Sequence, residues 1–140
     1  MSDPSHVYEL IIVGAGPAGI TAAIYAARKK MDFVVLTTNV GGQVILSSEI
    51  ENYTGFQYIT GEELTAKFQE HLERYRFDFK MEEVQKVERD GTLFGVKTDV
   101  GTYLGKTAII ATGRKPRELK VLGEAKFKNR GVTYCATCDG

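Results

Sequence analysis

The sequence has little cysteine and no excess of charge of either sign. Its 140 residues include two cysteines, and 18 Lys+Arg balance 18 Asp+Glu, so the formal net charge at pH 7 is zero. Binding to a polyanion requires a surplus of Lys and Arg to displace counterions, so this balance argues against nucleic-acid binding. No run of about 18 apolar residues is present, and we therefore expect no membrane-spanning helix. The first six residues lack the basic and apolar regions of a signal peptide, which favours a cytoplasmic location.

The N-terminal part of the chain predicts a βαβ unit. A short apolar strand at Val7–Val13 runs into a glycine-rich turn, and Pro17–Lys30 has helical spacing with proline at the first helical position. Phe33–Leu36 is typical of a second buried strand. Residues 37–59 have no clear period and predict a long loop, which inside a compact domain is often functional.

The remainder predicts a helix followed by strands. A helix is expected to start at Thr60, which forms a capping-box pattern with Glu63. Its apolar stripe consists of Leu64, Phe68, Leu72 and Tyr75. Residues 82–104 alternate as short strands with turns, and Lys106–Thr112 is typical of one more buried strand. We place a domain boundary near residue 116.

A glycine motif stands between the first strand and the first helix. It consists of Gly14, Ala15, Gly16, Pro17, Ala18 and Gly19, and it fits G-x-G-x-x-G. In this motif Gly14 permits the tight turn, Gly16 lets the backbone approach a pyrophosphate, and Gly19 lets the helix pack on the strand. The helix N-terminus supplies N–H groups for the phosphates. The motif therefore predicts a dinucleotide site.

The second strand lacks the acidic residue that usually binds the ribose of NAD. Its end carries Thr37 and Thr38 instead, and Asp32 precedes the strand. This absence weakens the interpretation as a plain nicotinamide dehydrogenase. The hydroxyl of Thr37 or Thr38 is a candidate contact for a ribose or a phosphate.

Two further segments supply candidate ligand contacts. In the long loop these are Gly41, Gly42, Gln43 and Asn52, and after the last strand they are Thr112 and Gly113. The amides of Gln43 and Asn52 are suited to pairing with the edge of a heterocycle. The carboxyl end of a strand is where ligands of open α/β sheets bind, which is why Thr112 and Gly113 are included.

Both cysteines, Cys135 and Cys138, lie in one Cys-x-x-Cys motif followed by Asp139. A structural zinc site needs four ligands; only His6 and His71 are available, far apart in the sequence, so we expect no metal. A permanent disulfide is disfavoured in a reducing compartment. A redox pair fits best, because one thiolate attacks and the other resolves the mixed disulfide. Asp139 is either a proton donor and acceptor or a solvated turn residue.

This combination resembles the low-molecular-weight, bacterial-type thioredoxin reductase family over the entire chain. The resemblance rests on GAGPAG at 14–19, GGQ at 41–43, ENY at 51–53, ATG at 111–113 and CATCDG at 135–140. In the glutathione-reductase type the redox cysteines closely follow the first glycine motif, and here that region has none. A close relative with similar motifs is the flavoprotein subunit of alkyl hydroperoxide reductase, whose additional N-terminal thioredoxin-like domains are not found in this sequence.

The resemblance implies a fold and a domain order. The fold would be α/β, a Rossmann-like FAD-binding fold with a parallel sheet, helices and a small antiparallel β-meander, incomplete at the C-terminus. Residues 1–116 would be the N-terminal segment of the FAD-binding domain. Residues 117–140 would begin an NADPH-binding domain that carries the redox cysteines, and the NADPH site itself would lie beyond this chain.

The resemblance also implies residue roles and an activity. The glycine motif would bind FAD, and the site would be lined by Gly41, Gly42, Gln43, Asn52, Thr112 and Gly113. Cys138 would exchange electrons with the flavin, Cys135 would attack the substrate disulfide, and Asp139 would handle the proton. Electrons would pass from NADPH to thioredoxin or a similar small redox protein. The complete enzyme would be a homodimer and the 140-residue piece inactive. The alternatives are a flavoprotein of a peroxide-reducing system and a truncated, non-enzymatic flavin-binding module.

Overall fold

The computed structural model describes residues 6–115, 117–128 and 130–134. The strands are β1 (Val7–Ala15), β2 (Phe33–Val40), β3 (Asp78–Met81), β4 (Val84–Asp90), β5 (Leu93–Thr98) and β6 (Thr102–Ile110). The α-helices are α1 (Pro17–Arg28), α2 (Gly61–Leu72) and the one-turn α3 (Glu124–Phe127). All six strands form one sheet in the order β3-β2-β1-β6-β5-β4. Four of them, β3, β2, β1 and β6, run parallel, and β5 and β4 continue the sheet antiparallel. The predicted α/β class with a parallel sheet and an antiparallel meander is confirmed.

Strand β1 lies in the middle of the sheet and is buried on both faces. Leu10 and Ile12 belong to the core that α1 covers, whereas Ile11 and Val13 belong to the core on the opposite face. Residues 10–13, which are buried on both faces, form an unbroken apolar run instead of an alternating sequence. This explains why the sequence predicts a buried strand here.

Local signals placed both long helices correctly. Proline occupies the first turn of α1, as expected. In α2 the backbone N–H of Glu63 donates to Thr60 Oγ1 at 3.2 Å, and the backbone N–H of Thr60 donates to Glu63 Oε2 at 3.0 Å. Hydrogen bonds from the backbone and then the side chain of Thr60 lower the pKa of Glu63. Tyr75, which the stripe included, lies beyond the end of α2 at Leu72.

The segment expected to be a loop over residues 37–59 is more ordered than its sequence indicates. Strand β2 continues to Val40, a 3₁₀ helix spans Gly42–Leu46, and Ile50 forms an isolated antiparallel bridge with Ile59. The 3₁₀ helix packs against the start of α2 so closely that a Cβ on Gly61 would stand 1.9 Å from the carbonyl oxygen of Val44. The loop is therefore tied to α2 by backbone contacts, which a hydrophobic pattern does not reveal.

The expectation of a separate, buried strand at 106–112 is wrong in two respects. Strand β6 is continuous over Thr102–Ile110, and its first residues pair with β5 while most of its length pairs with β1. Beyond Gly105, no other described strand lies along its outer edge. Ile109 and Ile110, whose side chains point to opposite faces of the sheet, are 40% and 58% exposed. Strand β3, a four-residue strand beside β2, was not expected at all.

No helix in the described parts of the chain is long and apolar enough to cross a membrane.

Candidate functional site

Three turns meet at the carboxyl ends of the parallel strands. They lie at the ends of β1, β2 and β6, and they contain residues 14–16, 41–42 and 111–113 respectively. Strand β1 lies between β2 and β6, so the chain leaves β1 toward one side and returns on the other. Crevices at such a switch point bind the ligands of open α/β sheets.

Gly14 and Gly19 bring the turn, α1 and β6 into direct contact. Gly14 has φ +102°, and a Cβ there would stand 2.4 Å from the carbonyl oxygen of Ala111. A Cβ on Gly19 would stand 1.9 Å from the carbonyl oxygen of Gly14. Both distances are far below a real contact, so neither position tolerates a side chain. This is the packing that the motif predicts, and Ala15 is the buried end of β1.

The two long helices differ at their N-termini. The N-cap of α1 is Gly16, which has no side chain; no described side chain caps the N–H groups of this end, and the first turn carries no acidic residue. In contrast, α2 is closed by its capping box and carries Glu62 and Glu63 in its first turn. Uncapped N–H groups with the positive end of the helix dipole attract an anion. Of these two helix ends, α1 is the one suited to phosphate; Pro17 and Ala18 form its first turn, and Ala18 is exposed.

A pair of glycines lets the turns after β1 and β2 approach each other at the N-terminus of α1. A Cβ on Gly42 (φ +59°) would stand 3.3 Å from the Cα of Gly16, and a Cβ on Gly16 would stand 4.0 Å from the Cα of Gly42. We call this pair the glycine cradle. Because neither residue has a side chain, backbone from both turns is open to a ligand. Together with the uncapped end of α1, the glycine cradle fits the pyrophosphate of a dinucleotide.

Thr37 supports this arrangement from below. Its hydroxyl accepts from the backbone N–H of Ala15 at 3.2 Å and of Asn39 at 3.3 Å, and it donates to the carbonyl oxygen of Asn39 at 2.7 Å. A hydroxyl has one donor and two acceptor sites, and here all three are used. Thr37 thus holds the turn, and of the two threonines at this end of β2 only Thr38 is exposed.

Two residues at the site were missed from the sequence. The side-chain carbonyl of Asn39 accepts from the backbone N–H of Gly42 at 3.2 Å, which fixes one half of the cradle. Thr65 on α2 packs against Gly41, where a Cβ would stand 2.5 Å from its Oγ1. An asparagine shortly before Gly-Gly is a turn signal that indicated the first contact. No local pattern indicated the second, because it depends on tertiary packing.

The remaining predicted contact residues are all exposed. Gln43 is exposed in the 3₁₀ helix, and Asn52 is exposed between the bridge residues Ile50 and Ile59. Thr112 and Gly113 are exposed just after β6. The structure thus brings the three turns together and leaves these side chains free of the core. Cys135, Cys138 and Asp139 lie outside the described residues.

Residues 8–140 match the family model described as pyridine nucleotide-disulphide oxidoreductase. The chain belongs to the pyridine nucleotide-disulphide oxidoreductase family. Within this family it is similar to thioredoxin reductase of Ureaplasma parvum, with 39% identity over 136 residues, covering 96% of this chain and 44% of the relative. It is also 42% identical to thioredoxin reductase of Mycolicibacterium smegmatis, covering 100% of this chain and 46% of the relative.

Solved structures of this oxidoreductase family agree with the fold. The thioredoxin reductase from Streptococcus pyogenes superimposes with a TM-score of 0.84 at 44% identity, covering 95% of this chain and 44% of that one. Thioredoxin reductase from Lactococcus lactis gives a TM-score of 0.81 at 41% identity, covering 94% of this chain and 44% of that one. The resemblance drawn from the motifs is confirmed. The chain spans less than half the length of these relatives.

Proposed function

We propose that this chain holds FAD at the edge formed by its three turns, as part of an NADPH-dependent disulfide reductase that acts on thioredoxin or a similar small redox protein. The observation that carries the proposal is the glycine cradle in front of the uncapped end of α1. The names of the similar proteins support the substrate class. The Cys-x-x-Cys motif in the same chain supports the reaction type.

The cofactor-binding residues divide by role. The backbone of residues 14–19 and of Gly41 and Gly42 holds the pyrophosphate, since side chains are absent where the turns approach. The heterocyclic rings of FAD are contacted by the exposed side chains of Gln43, Asn52 and Thr112. The backbone of Gly113 contributes a further contact. Thr37 keeps the turn after β2 in place.

The cysteines carry the disulfide chemistry. The thiolate of Cys135 attacks one sulfur of the substrate disulfide and forms a mixed disulfide, and the other substrate sulfur leaves as a thiolate. Cys138 then attacks the sulfur of Cys135, which releases the second substrate thiolate and leaves a Cys135–Cys138 disulfide. Asp139 supplies or accepts the proton. The bound flavin supplies the two electrons that restore the dithiol.

The organisation of the whole enzyme belongs to the same proposal. Residues 1–116 begin the FAD-binding domain, and residues 117–140 begin the NADPH-binding domain. NADPH is the electron source, and its site lies outside this chain. The enzyme is a cytoplasmic homodimer.

Flavin binding tests the proposal through one pair of glycines. Gly42→Ala places a methyl group 3.3 Å from the Cα of Gly16, at the place where we expect the protein backbone to contact FAD. We expect the affinity for FAD, measured by flavin fluorescence, to fall at least about tenfold, equal to about 1.4 kcal/mol. Gly55→Ala is the matched control, because Gly55 also has positive φ (+104°) but has nothing within 4 Å of its Cβ position.

The control variant should bind FAD as the unsubstituted chain does, since its alanine carries backbone strain at positive φ but meets no neighbour within 4 Å. Equal losses in the two variants would assign the effect to strain and contradict the cradle. Failure of the unsubstituted chain to bind FAD, or tighter binding of NAD than of FAD, would contradict the proposed cofactor.

A further inference from the structure

The segment after the sheet is organised around one carboxylate. Glu124 on α3 is only 7% exposed, although it lies in a segment whose apolar side chains are largely exposed. Its carboxylate accepts from the backbone N–H groups of Leu119 at 2.8 Å, Lys120 at 2.6 Å and Val121 at 3.4 Å. A buried glutamate is rare unless it is paired. Here hydrogen bonds to Glu124, more than an apolar core, determine the path of the chain.

The same carboxylate reaches the far end of the segment. The hydroxyl of Tyr134 donates to Glu124 Oε1 across ten residues of sequence. The chain between them turns back through a hydrogen bond from the backbone N–H of Val132 to the carbonyl oxygen of Phe127 at 2.9 Å. Glu124 thereby connects residues 119–121, which follow the sheet, to Tyr134.

The protonation states suit this contact. The hydrogen bond from Tyr134, followed by that from Leu119, lowers the pKa of Glu124. The hydrogen bond to Glu124 raises the pKa of Tyr134 to about 12. At neutral pH the carboxylate is therefore ionised and the phenol protonated, which are the forms that make the hydrogen bond.

We propose that Glu124 and Tyr134 form a positioning pair that fixes the backbone from which the Cys-x-x-Cys motif starts. Cys135 follows Tyr134 directly, so it is one peptide unit from a residue whose side chain is anchored. Anchoring one end of a short loop reduces the conformational freedom that is lost when the loop closes into a disulfide. The inference rests on the proposed redox role of the two cysteines, and it adds two residues to that role.

The equilibrium between the cysteines and glutathione disulfide measures this effect without flavin or NADPH. One protein thiolate attacks glutathione disulfide and releases one glutathione thiolate; the other attacks the resulting mixed disulfide and releases the second. The protein dithiol loses two electrons, and glutathione disulfide gains them as two glutathione thiols. The equilibrium constant therefore measures how favourable the disulfide between Cys135 and Cys138 is, relative to the disulfide of glutathione.

The decisive variant is Tyr134→Phe in the full chain, because it removes one hydroxyl and leaves the three backbone hydrogen bonds to Glu124. We expect the equilibrium constant for disulfide formation to fall about three- to tenfold, less than the full worth of a hydrogen bond to a charged group, because only part of the anchoring is passed on to the cysteines. In Glu124→Gln the equilibrium constant should fall at least as far, because this change weakens both the hydrogen bonds from residues 119–121 and the one from Tyr134. Thermal unfolding of each variant reports whether the sheet stays folded.

Two controls match these changes in chemistry. Glu88→Gln alters a carboxylate on β4 that forms a surface ion pair with Lys86 at 2.7 Å, a kind of contact that contributes little. Tyr58→Phe removes the hydroxyl of an exposed tyrosine. Both should keep the constant within about twofold of the unsubstituted value. An unchanged constant in Tyr134→Phe, or an equal fall in the controls, overturns the positioning pair.

The experiment separates this inference from the function on which it rests. If the unsubstituted chain forms no disulfide between Cys135 and Cys138, the redox role fails and the positioning pair fails with it. If that disulfide forms but Tyr134→Phe does not weaken it, the positioning pair alone is overturned. Flavin binding does not enter either result.

Discussion

At the scale of single residues, Tyr8 shows how one hydroxyl joins strands that are not neighbours. It is 3% exposed on β1, and its hydroxyl donates to Asp78 Oδ2 on β3 at 2.6 Å, across β2. Burial first, and then the hydrogen bond to Asp78, raise the pKa of Tyr8. The folded state therefore holds this proton more tightly than the unfolded chain, where tyrosine titrates near pH 10. The resulting stabilisation is complete below about pH 10 and is lost as the pH rises toward the pKa of the folded state. We expect Tyr8→Phe to lower the free energy of unfolding by about 2 kcal/mol at pH 8, because a hydrogen bond to a charged group is lost. The difference from the unsubstituted chain should shrink above pH 10, as measured by urea unfolding at several pH values. Tyr25→Phe is the control: Tyr25 is 64% exposed, and the change should stay within about 0.5 kcal/mol at every pH. A deficit for Tyr8→Phe that stays constant from pH 8 to pH 11 would assign its effect to packing instead.

At the scale of elements, the sequence predicts what short-range signals determine and misses what depends on neighbours. The βαβ unit and the capping box of α2 were predictable because strand, glycine turn, proline and Thr60–Glu63 act within a few residues. The burial of β6 was not predictable, since an apolar sequence does not say whether anything covers it. Likewise, the glycines of the cradle could be found in the sequence, but Thr65 could not, because its contact joins α2 to a turn 24 positions earlier in the chain. The exposure of the second half of β6 can be tested by comparing the same substitution, isoleucine to alanine, at a buried position on β1 and at an exposed position on β6. Ile12→Ala on β1, where the side chain is 0% exposed, should lower the free energy of unfolding by about 2 to 5 kcal/mol. Ile110→Ala, at 58% exposure, should cost less than about 1 kcal/mol, mainly through strand propensity. Urea unfolding at neutral pH compares the two. Similar losses would mean that β6 is covered in solution by residues outside the described part of the chain.

At the scale of the whole molecule, strand order concentrates the candidate site at one edge of the sheet. Parallel strands present all their carboxyl ends together, so residues 14–19, 41–43 and 111–113 meet although they span most of the chain. The opposite edge, roughly 25–30 Å away along β1, has a surface hollow lined by Met31, Asp32, Phe33, Arg76, Phe77 and Asp78. The hollow lies at the amino ends of the parallel strands, where the general rule for open α/β sheets places no ligand. Hydrogen–deuterium exchange with and without saturating FAD distinguishes these two edges. We expect slower exchange at the backbone amides of the three turns, because the ligand covers N–H groups that α1 leaves uncapped. Exchange at residues 31–33 and 76–78, and at the turn between β4 and β5, should not change. Protection at the hollow in place of the turns would move the cofactor to the wrong end of the sheet and overturn the assignment of the glycine cradle. If FAD slowed exchange in the turn after β1 but not in the turn after β6, the proposed pyrophosphate contacts would stand, and Thr112 and Gly113 would no longer belong to the proposed site.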